Sequence, residues 1–205
     1  IVIFVAAAWL ILTHDIGVEE AFRLVAFNVV SVVTTTGFAT TDYTLWGSFA
    51  VALFFVLTAV GGCTGSTSGG VKALRWLLTF RSIASQIRTV DSPHQIVPVR
   101  LEGNRVADDV ISSVIAFGGL FFVTFAVLSL ILTLLGLDLV TASSGALTAL
   151  ANVGPGVGPI IGPAGNFSTL NDAAKITLSV GMYLGRLELM TVLVLFLPVF
   201  WREVL

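Results

Sequence analysis

The chain has 205 residues, of which 56% are hydrophobic and 11% charged, with a formal net charge of −2 at pH 7 and a mean hydropathy of +1.01. A soluble domain carries about 25% charged residues, so the composition excludes that class and predicts an all-α integral membrane protein with several spans. The one cysteine, Cys63, excludes an intrachain disulfide framework, and no basic, aromatic-laced face points to nucleic acid; membrane lipid is the expected surroundings.

Residues 1–13 are an apolar run of about 20 Å if helical, short of the roughly 30 Å hydrocarbon core. The run lacks the basic start and cleavage site of a signal peptide. It reads as a truncated span, with the chain beginning mid-protein. His14, Asp15, Glu19 and Glu20 make a polar corner. Residues 18–33, which carry Arg23 and Asn28, are too short and polar to span comfortably and suit a re-entrant helix. Then come Thr34, Thr35, Thr36, Gly37 and Phe38, an uncharged, glycine-centred loop. Such a loop is tolerated at membrane depth only where its backbone is buried in protein or lines a wet cavity. Residues 39–44 form a polar return, with Asp42 at the mouth.

Residues 45–62 read as the next span, about 27 Å if helical. It runs into Gly61, Gly62, Cys63, Thr64, Gly65, Ser66, Thr67, Ser68, Gly69 and Gly70. So many glycines and hydroxyl residues cannot form a stable helix interior. Helix resumes over 71–81, with Lys72 and Arg75. As a phosphate loop the break fails, because Val71 stands at the required lysine position and no soluble strand precedes it. Two readings remain: glycines packing neighbouring spans closely, or a flexible barrier in an ion path whose hydroxyls satisfy the broken backbone.

Residues 83–109 are the long hydrophilic stretch, containing Pro93, His94, Pro98 and a turn-like Glu102, Gly103, Asn104, Arg105. Six of the ten Lys and Arg residues lie between Lys72 and Arg105, which assigns this face to the cytoplasm. Residues 110–137 carry no charge and can span with tilt. Asp138 opens a short, small-residue element over 139–151. Asn152, Val153, Gly154, Pro155 and Gly156 follow, then a Gly/Pro loop to Asp172. Residues 173–200 form the last span, ending at Trp201, Arg202 and Glu203. Arg186 lies inside that span, where a charge is functional or paired. Glu188, two residues on, does not share its helix face.

The chain repeats itself. Gly37 and Gly154 each follow a short helical stretch that opens after acidic residues, and each precedes a polar loop and an apolar span carrying glycine and a base, Gly70 and Lys72 or Gly185 and Arg186. The predicted units are residues 1–80 and 110–205, joined by a linker over 81–109. Each unit is span, half-helix, loop, span. The linker returns the chain across the membrane, so the repeat is parallel rather than inverted. The unit resembles the pore module of potassium channels. There a half-helix aims its negative dipole end at a cation and loop carbonyls replace the water shell of the ion.

Residues 34–38, the 61–70 break followed by Val71 and Lys72, residues 152–156, and Gly185, Arg186, Leu187 and Glu188 together resemble the Trk/Ktr family of potassium-uptake membrane subunits. The resemblance implies that this chain holds the last two of four pore repeats, with two more upstream in the same polypeptide. It implies a K⁺ filter made of the carbonyls of Thr35, Thr36, Gly37 and Phe38 in one repeat and Asn152, Val153, Gly154 and Pro155 in the other. It implies a gate built from Gly61, Gly62, Thr64, Gly65, Ser66, Gly69 and Gly70, with Arg186 beside it. A homodimer, a cytosolic nucleotide-binding regulatory subunit and a place in the prokaryotic inner (plasma) membrane are further implications. The competing class is an ion-coupled secondary transporter with a broken-helix binding site, which inverted repeats would favour. An intramembrane enzyme would need a nucleophile–base or metal cluster, and the sequence offers none.

Overall fold

The computed structural model describes residues 1–14, 16–91, 98–101, 103–187, 189–195 and 201. Asp15, Pro93, His94, Glu102, Glu188, Arg202 and Glu203 therefore lie outside the described residues, as does the end of the predicted last span, 196–200. Helices α1 (Val2–His14), α2 (Val18–Val33), α3 (Ser48–Ala59) and α4 (Ala73–Asp91) build the first part. Helices α5 (Asp108–Leu134), α6 (Leu139–Ala151), α7 (Asp172–Arg186) and α8 (Leu189–Leu195) build the second. Short 3₁₀ turns, Tyr43–Trp46 and Phe167–Thr169, precede α3 and α7. Among the described residues one helix, α5, is long and apolar enough to cross a membrane, while α1, α3 and α6 are shorter apolar helices.

Several elements depart from the sequence reading. The 45–62 segment is α-helical only over the 12 residues of α3, about 18 Å, because the backbone leaves the helix at Val60 to pair with Val71. Helix α4 starts at Ala73 and continues to Asp91, ten residues beyond the predicted end. Leu78 and Ser82, one turn apart, are buried, while Leu77, Phe80, Ile83, Ile87 and Val90 are exposed. The chain is not wholly helical. Arg100–Leu101 (β1) and Asn104–Arg105 (β2) pair antiparallel, and Gly103, at φ +87°, makes the turn. The last apolar stretch is not one helix, since α7 stops at Arg186 and helix resumes at Leu189.

Two larger apolar clusters carry the packing among the described residues, and a third, smaller one joins Val71, Phe117 and Leu189. In one of the larger two, Ala6, Leu10, Val25, Val29 and Phe54 join α1, α2 and α3. In the other, Leu128, Leu132, Ala146, Leu150, Ala174 and Leu178 join α5, α6 and α7. Helix α6 is buried almost all round. Its small residues explain this. Ala142, Ser144, Gly145, Ala146 and Ala149 let α5, α7 and the 152–161 loop approach closely, the way helices associate where no water drives them together. A Cβ on Gly145 would stand 3.1 Å from Ile161 Cδ1. The clusters also meet, because Ala151, Val153 and Val157 pack into the α1–α3 cluster. That contact positions the two glycine loops.

Candidate functional site: two glycine turns over a broken helix

The loop after α2 and the loop after α6 have the same backbone. Thr35 (φ +57°) and Asn152 (φ +54°) are the two non-glycine residues with left-handed backbone among the described residues. Each stands two positions before a glycine that is also left-handed, Gly37 at φ +81° and Gly154 at φ +117°. Left-handed backbone is uncommon outside glycine, and for a β-branched residue such as Thr35 it is a strained state, costing about 1–3 kcal/mol unless its surroundings over-determine it. They do. The Thr35 amide donates to Val32 O, 3.0 Å. Its Oγ1 accepts from the Gly69 amide, 3.0 Å, and donates to Ser68 Oγ, 3.2 Å.

A hydroxyl residue supports each turn from the last part of its helix, six residues before the glycine. Ser31 O accepts from the Thr36 amide, 2.8 Å, and Ser31 Oγ donates to Phe38 O, 2.6 Å. Thr148 O accepts from the Val153 amide, 3.2 Å, and Thr148 Oγ1 accepts from the Gly154 amide, 3.0 Å. Ser144 Oγ holds Val157 O at 2.9 Å. Asn28 bridges its own helix to the polar return, donating to Leu24 O and Thr40 Oγ1 and accepting from the Thr40 amide. Asn28, Ser31, Ser144 and Thr148 are buried. Only Asn28 stands out in the sequence; the matched spacing of Ser31 and Thr148 ahead of their glycines was the available signal for the others.

The turns face one another. A Cβ on Gly37 would stand 2.1 Å from Val153 O, and one on Gly154 would stand 3.9 Å from Gly37 Cα. Amide groups of the two turns are tied back into their helices. In contrast, among the described residues the carbonyls of Thr35, Thr36, Gly37, Asn152, Val153, Gly154 and Pro155 accept no hydrogen bond. The remaining predicted carbonyl, that of Phe38, accepts from Ser31, and the Phe38 side chain is 73% exposed.

The glycine-rich break packs against these turns. Its two ends are pinned by a parallel bridge, with Gly61 N–H donating to Val71 O at 2.9 Å and Val71 N–H donating to Ala59 O at 3.3 Å. Between the pins, Ser68 Oγ accepts from the Gly62 amide. Gly69 comes so near the end of α6 that a Cβ there would stand 2.1 Å from Ala151 O. The tip behaves differently: a Cβ on Gly65 would meet nothing within 4 Å, and Cys63 is exposed. Arg186, in the last turn of α7 rather than mid-helix, donates from a guanidinium nitrogen to Thr67 O at 2.7 Å. A cation is favoured at that helix end. Its predicted alternative partner, Glu188, lies outside the described residues. The two turns, the break and Arg186 thus adjoin one another where the two parts of the chain meet.

The sequence profile of a cation transport protein family, TrkH, matches residues 7–202. The chain is 54% identical over 179 residues to the Trk system potassium uptake protein TrkI of Halomonas elongata, covering 87% of this chain and 36% of that protein. It is 34% identical over 205 residues to the Trk system potassium uptake protein TrkH of Vibrio parahaemolyticus, covering 99% of this chain and 42% of the relative. The crystal structure of the potassium transporter TrkH from Vibrio parahaemolyticus superposes with a TM-score of 0.89 over 97% of this chain and 42% of that one, at 34% identity. The chain therefore spans about two fifths of the length of these relatives. By its sequence profile, its relatives and its fold, this chain belongs to the TrkH family of membrane cation transport proteins.

Proposed function

We propose that this chain supplies two of four pore repeats in a potassium-uptake protein, with K⁺ as cargo. Passive conduction runs past the carbonyls of Thr35, Thr36, Gly37 and Phe38 on one side and Asn152, Val153, Gly154 and Pro155 on another. The observation that carries the reading is the pairing of two left-handed turns whose amides are held by their own helices while their carbonyls, that of Phe38 apart, are left without protein donors among the described residues. Carbonyls in that condition can replace the hydration shell of a cation, and the C-terminal dipole ends of α2 and α6 favour positive charge there. The 61–70 loop is the gate: pinned at both ends, loose at its tip, and clasped by Arg186. In the family arrangement the other two repeats lie upstream in the same polypeptide, the protein forms a homodimer in the prokaryotic inner membrane, and a cytosolic nucleotide-binding subunit regulates it.

The experiment is potassium and sodium flux through the full-length transporter carrying this chain, reconstituted in vesicles. Gly37→Ser adds a Cβ where Val153 O stands and asks a side chain to hold left-handed backbone. Loss of K⁺ preference is the expected result. Unaltered flux and selectivity in a folded variant would overturn the filter assignment.

A further inference from the structure

Each glycine turn places a side chain, Thr35 or Asn152, on left-handed backbone that glycine would adopt without strain. Asparagine tolerates that backbone better than most residues, yet the side chain still needs a reason to be there. For Thr35 the reason is the pair of bonds to the broken helix. For Asn152 the contacts run to α7. Asn152 Nδ2 donates to Met182 O at 3.2 Å and to Leu150 O at 3.4 Å. The fit is close on two sides. A Cβ on Gly185 would stand 1.9 Å from Leu150 O and 2.8 Å from Asn152 Nδ2, and one on Gly69 would stand 3.1 Å from Asn152 Cβ. Asn152 is thus seated between the last turn of α7 and the Gly69 end of the glycine-rich loop.

We propose that the Asn152 side chain is a specificity-determining positioning residue, whose amide fastens the second glycine turn to α7 and so sets the direction of the Asn152 and Val153 carbonyls. The inference deepens the filter reading and rests on it. The argument is one of anchorage. Asn152 N–H donates to Ala149 O, Val153 N–H to Thr148 O and Gly154 N–H to Thr148 Oγ1. All three tie the turn to α6 alone. Among the described residues, the bond from Nδ2 to Met182 O is the one that fixes residues 152–155 against a second helix. Discrimination between K⁺ and Na⁺ depends on the spacing or the field of the coordinating carbonyls, and a turn held by a single helix can tilt and relax both. The same turn of α7 carries Arg186, which clasps Thr67 O, so one short stretch of helix holds the second glycine turn and the glycine-rich loop together.

The test is the ratio of K⁺ to Na⁺ flux through the full-length transporter carrying this chain, reconstituted in vesicles, with Gly37→Ser measured beside it. Asn152→Gly removes the amide and keeps the left-handed backbone. Asn152→Asp keeps the shape but has no amide hydrogen to donate. Loss of one hydrogen bond shifts a two-geometry equilibrium about fivefold, and the flux ratio should fall by about that factor in both variants. A merely structural role lowers both fluxes together and leaves the ratio unmoved, and that result would overturn the inference. A wild-type ratio in Asn152→Asp with a lowered one in Asn152→Gly would assign the effect to filled space rather than to the donor, and would overturn it too. Gly37→Ser separates this inference from the filter reading. A lowered ratio there, with wild-type ratios in both Asn152 variants, removes the role of Asn152 alone; wild-type ratios in all three remove the filter assignment with it. Absence of folded protein in both Asn152 variants, read by size-exclusion chromatography, would make the amide a folding requirement and likewise overturn the specificity role.

Discussion

Arg186→Ala isolates the clasp between α7 and the glycine-rich loop. The substitution removes one charge-assisted hydrogen bond, 2.7 Å, from the guanidinium to Thr67 O. Bonds to charged groups are worth about 1.5–3 kcal/mol net, but this one is solvent-exposed, and screening brings the expectation down to about 1–2 kcal/mol. A change of that size moves a two-state equilibrium about 5–30-fold. If the clasped loop is the closed state, basal potassium flux through the full-length transporter should rise by up to that factor. Two controls sharpen the result. Because Thr67 accepts through its backbone, Thr67→Ala should leave flux unaltered. Arg186→Lys, keeping the charge but not the planar fork, should fall between wild type and Arg186→Ala. The assay is flux in vesicles together with the rate of thiol modification at exposed Cys63, which reads the loop directly. Unchanged flux and unchanged Cys63 reactivity, or a Thr67→Ala effect equal to that of Arg186→Ala, would refute the reasoning.

Thr148→Val keeps shape but removes the acceptor for the Gly154 amide, stranding a donor in a buried place at about 1–3 kcal/mol. Loss of K⁺ over Na⁺ selectivity is expected, with Thr148→Ser restoring it; thermal unfolding of purified protein measures the accompanying destabilisation. Asp138→Ala removes the N-cap that accepts from the Thr141 amide at 3.1 Å and should cost about 1 kcal/mol. Hydrogen bonding with Thr141 holds the Asp138 carboxyl below its usual value. Its stabilisation is therefore complete at neutral pH, above the unfolded value, and fades as pH falls through the lowered folded value. Asp138→Asn should keep most of the cap while abolishing that acid-side loss in a pH series of melting temperatures. Deleting residues 64–66, the tip around Gly65, where a Cβ would meet nothing within 4 Å, should raise basal flux with folding intact; unaltered or abolished flux in a folded variant would count against a barrier there.

What the sequence made legible is local. Residues 34–38 and 61–70 announce themselves because glycine and hydroxyl residues interrupt apolar runs, and backbone preference alone decides such places. Two helix ends were not legible. Helix α4 continues past Arg81 although only Ser82 is buried between Arg81 and Val90, so no apolar face marked that end as helix and its composition read as a linker. The stop of α7 at Arg186 has no glycine or proline after it to mark it. The site was legible as a set of segments but not as a set of contacts. Thr35 to Gly69 and Arg186 to Thr67 are bonds between segments far apart in the chain, which only the tertiary packing brings together.

The side chain of Thr35 carries a consequence of its own. It belongs to a glycine turn, yet its hydroxyl holds the Gly69 amide and Ser68 Oγ of the broken helix. Under the transport reading, selectivity and opening then share one hydrogen-bonded atom. Whatever cation prefers one geometry of that turn must shift the loop, and the loop must shift cation affinity by the same factor, since binding linkage is reciprocal. Cys63 modification should accordingly vary with potassium concentration, and Thr35→Val should erase the variation while the thiol stays reactive. Occupancy of the pore would thus be a signal that the barrier itself senses.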